Sequence, residues 1–171
     1  MARAEGEVAI RDARVADLRA LADLYNHYIE SSPATFDTEP KSLDNRREWM
    51  DHYAECGPHR LLVAVGDDGL LGYASSSVFR PRAAYATSVE TTVYLAEGAL
   101  RRGVGSALYG RLLGALEGER VHRVYAGVTL PNPASEALHR RFGFQPIGLF
   151  HEAGRKFDRY WSVQWFEKRL A

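Results

Sequence analysis

The sequence predicts an α+β fold in which helices pack on a mixed β-sheet, and three observations carry that expectation. A β-hairpin is written out at 61–79, where Leu61–Val65 and Leu70–Phe79 flank the turn residues Asp67-Asp68-Gly69. A helix with one continuous apolar face follows at 103–116, where Val104, Leu108, Leu112 and Leu116 recur at spacing four. Strand-like and helix-like segments alternate along 171 residues with no repeat, low-complexity tract or long linker, which fits a single domain spanning 1–171.

The remaining elements fall in order around these. Val8-Ala9-Ile10-Arg11 reads as a short first strand, and Asp17 is placed to begin a helix carrying Leu18, Leu21, Tyr25 and Tyr28. Pro33 forbids continued helix in the Ser-Ser-Pro-Ala-Thr-Phe loop. Leu43, Arg47, Met50 and Tyr53 mark a second helix that Gly57-Pro58 stops. After the hairpin Pro81 interrupts, and Ser88–Leu95, rich in Thr, Val and Tyr, reads as a strand. Beyond the apolar-faced helix, Val121–Leu130 is a strand and Pro133–Phe142 a short helix closed by Gly143. Strands near Gln145–Glu152 and Phe157–Glu167 complete the order β-α-α-β-β-β-α-β-α-β-β. Tyr109, Trp161 and Trp165 are expected in the core.

Composition excludes several functions. The 22 Lys+Arg and 22 Asp+Glu cancel, giving no case for nucleic acid or an anionic membrane. No apolar run approaches the roughly 20 residues that span a bilayer. The first seven residues are polar and lack an apolar signal core. A lone Cys56 makes no internal disulfide, so the cytoplasm is the default expectation. The six histidines show no metal pattern: His-Glu-x-x-His, paired Cys and clustered carboxylates are all absent, so no catalytic metal is expected. No Gly-x-Ser-x-Gly elbow points to a serine hydrolase.

Leu100-Arg101-Arg102-Gly103-Val104-Gly105-Ser106 joins a strand to the amphipathic helix. Such a turn leaves N–H groups unpaired at the positive end of a helix dipole, where phosphate oxygens bind. Glycine would let a phosphate reach the backbone, and Arg101 and Arg102 would add charge at the rim. The plainer alternative is a glycine-containing connection with two solvated arginines. A Walker A loop requires Gly-Lys-Ser/Thr, which is missing. A dinucleotide fold requires a third glycine where Leu108 stands, and an acid on the next strand, which Val121–Leu130 lacks.

Two motifs in this order resemble the GNAT superfamily of N-acetyltransferases. One is Val93-Tyr94-Leu95 followed by the Arg-Arg-Gly-Val-Gly-Ser turn. The other is Asn132-Pro133-Ala134-Ser135-Glu136-Ala137-Leu138-His139, running on to Gly143-Phe144. The resemblance implies a three-layer α/β fold with a mixed, mostly antiparallel sheet between helices, and acetyl-CoA as co-substrate. Its pantetheine arm would pair with Thr92, Val93, Tyr94 and Leu95. Its diphosphate would sit on the amides of Arg101, Arg102, Gly103, Val104, Gly105 and Ser106, and Asn132 would contact the pantetheine. One departure stands out: Leu100 occupies a position where the family usually has Gln or Arg.

Within that family the chain is similar to the phosphinothricin and methionine sulfoximine N-acetyltransferases. The matching stretches are Ile10-Arg11-Asp12-Ala13, Tyr25-Asn26, Ala34-Thr35-Phe36-Asp37-Thr38-Glu39-Pro40, Tyr85, Ser88-Val89-Glu90-Thr91-Thr92-Val93-Tyr94, Leu138-His139 and Gly154-Arg155-Lys156-Phe157. The likeness implies acetylation of the α-amino group of a small amino acid, with Glu90 as general base, acting directly or through water. A sheet-edge glutamate paired with an arginine is the plainer alternative. An N–H near Leu95 would serve the oxyanion, and His139 would protonate the leaving thiolate or simply pack on its helix. Asn132 before Pro133 is equally a helix cap. Phe36, Phe79, Arg80, Arg82 and Tyr85 are the candidate substrate contacts, with Val89 and Thr91 beside Glu90, the arginines offering forks for carboxylate or phosphinate. Asp158-Arg159-Tyr160-Trp161-Ser162 departs from the branch pattern. The resemblance also implies a homodimer. Two alternatives stay open: another amine such as a polyamine or protein N-terminus, or an acyl-CoA sensor without catalysis.

Overall fold

The computed structural model describes residues 8–170, so the polar stretch 1–7 lies outside the described residues. Seven strands form one sheet: β1 (Ala9–Asp12), β2 (Leu61–Gly66), β3 (Gly69–Val78), β4 (Ser88–Leu95), β5 (Arg123–Thr129), β6 (Gln145–Lys156) and β7 (Arg159–Arg169). Four helices pack on it: α1 (Leu18–Ser31), α2 (Leu43–Met50), α3 (Val104–Leu116) and α4 (Pro133–Arg141). The element order is the expected one. Strands lie in the order β1-β2-β3-β4-β5-β7-β6, and every neighbouring pair is antiparallel except β4–β5.

The sheet buries both faces, which is why its central strands are apolar or small on both sides. On one face α3 contributes Val104, Leu108, Leu112 and Leu116 to a core with Val89, Val124, Ala126, Val128 and Phe166. On the other, α1 and α2 pack Leu21, Tyr25, Tyr28, Trp49 and Met50 over Leu61, Val63, Tyr73 and Tyr94. The result is three layers. None of the described helices is long and apolar enough to cross a membrane.

Local chemistry adjusts several expected boundaries. Asp17 does precede α1, yet its carboxylate accepts from the Arg14 N–H (2.8 Å) and from both arms of Arg11 (2.7 and 2.9 Å) instead of capping the helix. The second helix is capped by Ser42 and ends before Tyr53. Its inward face holds Arg46, 4% exposed, rather than Arg47 or Leu43. Strand β6 runs past Glu152 to Lys156, and the hairpin turns at Phe157-Asp158. Both turn residues are left-handed, with φ of 53° and 56°, the geometry that matches strand twist in a two-residue loop. Tyr109 is fully buried as expected, whereas Trp161 and Trp165 are only half-buried.

Candidate active site

The parallel contact between β4 and β5 covers only three residue pairs, Ser88, Val89 and Glu90 opposite Arg123, Val124 and Tyr125. Beyond Glu90 the two strands are no longer paired, while β3 stays bonded to β4 up to Leu95 and β7 to β5 through Thr129. The gap is a cleft of about 190 Å³ lined by residues of β4, by Gly127 and Thr129 of β5, and by Asn132, Ser135 and His139. It offers main-chain N–H and C=O groups along one wall, the partner an extended amide chain needs.

Where β4 ends, the chain turns through Gly103 into α3. Gly103 caps the helix with φ +79°, a left-handed conformation suited to glycine. The first helical bond beyond the cap is Ala107 N–H to Gly103 O (3.0 Å), leaving the N–H groups ahead of it open at the helix start. Gly105 is also tight on its other side: a Cβ there would lie 3.0 Å from Leu95 Cδ1. Arg101 and Arg102 are exposed, and Arg102 donates to Gly98 O (3.1 Å). At the opposite rim Asn132 Oδ1 accepts from Ser135 N–H (3.1 Å), so the cap reading holds, and the residue also lines the cleft. An open helix start, a narrow amide-walled cleft and a glycine-tight passage fit a diphosphate joined to a slender amide arm.

Strand alternation then sorts the residues of β4. Val89 lies in the α3 core, so its side chain does not reach a substrate as expected, while Thr91 Oγ1 meets the Tyr109 hydroxyl at 2.8 Å and the residue lines the cleft. Glu90, Thr92 and Tyr94 turn to the α1–α2 face, where Thr92 Oγ1 meets Ser75 Oγ at 3.0 Å. Tyr94 and Val93 pack in the core and can offer a ligand only main chain. Burial raises the Glu90 carboxyl above the usual carboxylate range, and the Arg80 charge opposes that rise. Phe79 stacks on Tyr125 (4.1 Å), Tyr85 meets Phe79 edge-on (5.8 Å), and Arg80 lies 5.0 Å from the Phe79 ring. The structure thus brings Phe79, Arg80 and Tyr85 together near Glu90. Arg82 is exposed and joins that group through its main chain, its N–H donating to Arg80 O (2.9 Å) and its carbonyl accepting from Tyr85 N–H (2.9 Å). Phe36 stands apart against β6, where a Cβ on Gly154 would collide with its ring.

His139 is buried, stacked on Phe166 (5.6 Å) and edge-on to Tyr109 (5.2 Å). Its Nδ1 lies 2.7 Å from the Ser135 carbonyl oxygen. A carbonyl only accepts, so Nδ1 carries the proton and Nε2 presents a lone pair. Burial lowers the histidine pKa, with the Ser135 bond opposing. The lowered pKa favours the neutral form, in which Nε2 holds a lone pair, and the buried, stacked ring fits the packing alternative. The Leu95 N–H, expected near an oxyanion, points to the Tyr28 hydroxyl at 3.4 Å, while that hydroxyl donates to Leu95 O at 2.8 Å.

A second cavity, about 400 Å³, lies under α1 and α2 on the Glu90 face of the sheet. Its walls include Asp37, Arg46, Trp49, Ser75, Ser77 and Thr92. Ser77 is the cross-strand partner of Glu90, so this cavity adjoins the carboxylate. Among the described residues no three His, Cys, Asp or Glu converge as a metal site.

Residues 21–144 match the model of the acetyltransferase (GNAT) family. The chain belongs to the GNAT acetyltransferases. It is 53% identical to a phosphinothricin N-acetyltransferase of Streptomyces coelicolor over 96% of this chain and 97% of that one. It is 32% identical to an L-methionine sulfoximine/L-methionine sulfone acetyltransferase of Pseudomonas paraeruginosa, over 95% and 94% of the two chains. Among solved structures, a GNAT phosphinothricin acetyltransferase from Sinorhizobium meliloti in complex with acetyl-CoA superposes with a TM-score of 0.91 at 30% identity, covering 96% of this chain and 89% of that one.

Viewed as a GNAT cleft, Leu100 leaves an apolar, half-exposed side chain on the wall where the family usually places a polar one. Three site residues escaped the sequence reading. Tyr125 faces outward beside Glu90, a position that strand alternation from Val124 would have given. Ser135 orients His139, and the signal is its i, i+4 spacing on one helix. Arg46 gave none, since a guanidinium at a helical position ordinarily reads as surface.

Proposed function

We propose that this GNAT enzyme transfers the acetyl group of acetyl-CoA to the α-amino group of a small amino acid of the phosphinothricin or methionine sulfoximine kind. The single observation that carries this reading is Glu90: a desolvated carboxylate, at the last paired residue before the cleft opens, on the face that holds the second cavity. The names of the relatives supply the amino-acid class. Acetyl-CoA, when bound, supplies the electrophilic thioester. The open amides at the start of α3 hold its diphosphate, and the exposed main chain of β4 aligns its arm. Glu90, with its pKa raised toward neutrality, takes the proton of the incoming ammonium directly or through a water. The neutral nitrogen then attacks the thioester carbon: the new C–N bond replaces the C–S bond, coenzyme A leaves as the thiolate, and the thiolate takes up the second proton that the nitrogen releases. Arg80, near Glu90, is positioned to attract the α-carboxylate and keep the amine beside the base. His139 serves as a wall of the cleft and, in the neutral form that burial favours, as a hydrogen-bond acceptor at Nε2.

The chain also forms a homodimer in this reading. Ile147, Leu149, Phe150, Phe157 and Tyr160 are exposed on the β6–β7 hairpin, and β6 is an edge strand.

The test is release of free thiol from acetyl-CoA with phosphinothricin, methionine sulfoximine, a polyamine and an N-terminal peptide. The two amino acids are expected to be the better acceptors. Glu90→Gln is expected to lower turnover by roughly 100- to 10,000-fold, the range of general-base catalysis, with little change in coenzyme affinity. Full turnover by that variant removes Glu90 as the base. Tight acetyl-CoA binding without turnover on any amine favours a sensor.

A further inference from the structure

Among the described residues, Arg46 is the arginine with two buried nitrogens that lack a hydrogen-bond partner. Arg46 is 4% exposed, and its Nε and Nη2 are buried without an acceptor from the protein. Arginine stays protonated in any such setting, so this is a buried cation. Its flat faces are covered: the group lies 3.5 Å from the Trp49 ring and 4.4 Å from the Tyr25 ring. Those contacts compensate the faces through the ring quadrupoles and leave the in-plane N–H donors unmet. Burying charged donors without acceptors is strongly unfavourable.

The acids nearby do not fill that role. Asp37 accepts from the Tyr25 hydroxyl (2.8 Å) and pairs with Lys41 (3.1 Å). Glu48 lies on the exposed rim of the cavity. Arg46 is itself part of the wall of the 400 Å³ cavity, together with Ser75, Ser77 and Thr92.

We propose that Arg46 receives an oxyanion at the far end of the acceptor's side chain, so that among amino-acid acceptors those carrying a phosphinate or carboxylate there are preferred over neutral ones, methionine sulfoximine included. This rests on the acceptor face assigned above to Glu90, and it adds the residue that selects the substrate. Span decides which end of the substrate is read. Arg46 reaches the sheet beside Trp49, whose ring meets Tyr73, the cross-strand partner of Tyr94. Tyr94 is four residues from Glu90 on one strand, roughly 13 Å at about 3.3 Å per residue, and Thr92 is roughly 7 Å away. An α-carboxylate lies only two bonds from the amine carbon and falls short of that span. A side-chain oxyanion about 5–6 Å from the amine, with a hydrogen bond of about 3 Å at each end, covers about 11–12 Å. The α-carboxylate is left to Arg80, and the two guanidiniums read the two ends of one ligand.

The test compares kcat/KM for phosphinothricin and glutamate with that for norleucine, whose side chain is neutral, in the wild type, Arg46→Met and Arg46→Lys. Arg46→Met is expected to lower the anionic-to-neutral ratio at least ~30-fold, the loss typical of one partner of a buried charged hydrogen bond. Arg46→Lys keeps a charge without the fork and is expected to give an intermediate ratio. It carries the test if the Met variant fails to fold. A wild-type ratio in a folded variant overturns the proposal even if the enzyme acetylates amino acids well. In parallel, phosphinothricin is titrated without acetyl-CoA while tryptophan fluorescence is followed, since Trp49 stacks on Arg46. Saturable quenching that Arg46→Lys weakens upholds the anion site even if no acceptor turns over, whereas equal titration curves for wild type and variant sink it.

Discussion

Alanine at Gly103 isolates what the coenzyme turn requires of its backbone. Gly103 sits at φ +79° and ψ −8°, and a Cβ placed there meets no atom within 4 Å. Crowding is therefore absent, and the whole penalty is the left-handed conformation, roughly 1–2 kcal/mol for a residue with a Cβ. In a chain of 171 residues each kcal/mol lowers the melting temperature by about 2–4 °C. The series Gly, Asn, Ala, Val should fall in that order, because asparagine tolerates this region and a β-branched side chain is the worst suited to it. Strain can be relieved by rotating residue 103 to negative φ, which would turn the open amides at the start of α3 out of their common direction. The KM for acetyl-CoA should then rise in the same order as the melting temperature falls. Thermal melting and steady-state kinetics on the four proteins give both numbers. Valine matching glycine in either quantity, or alanine more stable than glycine, refutes the strain account.

Arg80→Ala removes the charge that holds Glu90 down, so its carboxyl should rise further. A base works deprotonated, and activity appears as pH rises through its pKa. The acidic limb of kcat/KM should therefore move to higher pH, and an unmoved limb means that Glu90 does not feel Arg80. Thr91→Val strands the buried Tyr109 hydroxyl, 2.8 Å from Thr91 Oγ1, and should destabilise by about 1–3 kcal/mol in urea. Adding Tyr109→Phe should recover most of that loss; simple additivity would show that the pair is not coupled. Ile147→Glu with Phe150→Glu should convert a sedimenting dimer into monomer, and a monomeric wild type refutes the assembly outright.

Much of the architecture was legible because its signals are local. The hairpin at 61–79 carries its own turn chemistry, and α3 carries an unbroken apolar face. The β6–β7 turn was not legible, since Phe157 and Asp158 adopt left-handed φ without the glycine or asparagine that announces it. The cleft was visible in two short motifs, and the structure adds that Gly105 also lies tight against the Leu95 side chain. Period-two alternation from Glu90 puts Val89 and Thr91 on the opposite face, Val89 in the core and Thr91 beside the cleft. Arg46 lay beyond pattern reading. Trp49, one helical turn on, covers one face of it, but Tyr25 and the sheet that complete its burial are distant in sequence.

The parting of β4 and β5 has a thermodynamic corollary. Two central strands that stop bonding after three pairs leave a row of peptide groups that the fold itself could have satisfied by zipping further. Substitutions that lengthen this seam should make the apoprotein harder to melt while shutting out the coenzyme. Stability and catalysis therefore compete for the same few backbone amides, and a thermostable variant selected without regard to turnover would be expected to lose the enzyme first at this seam.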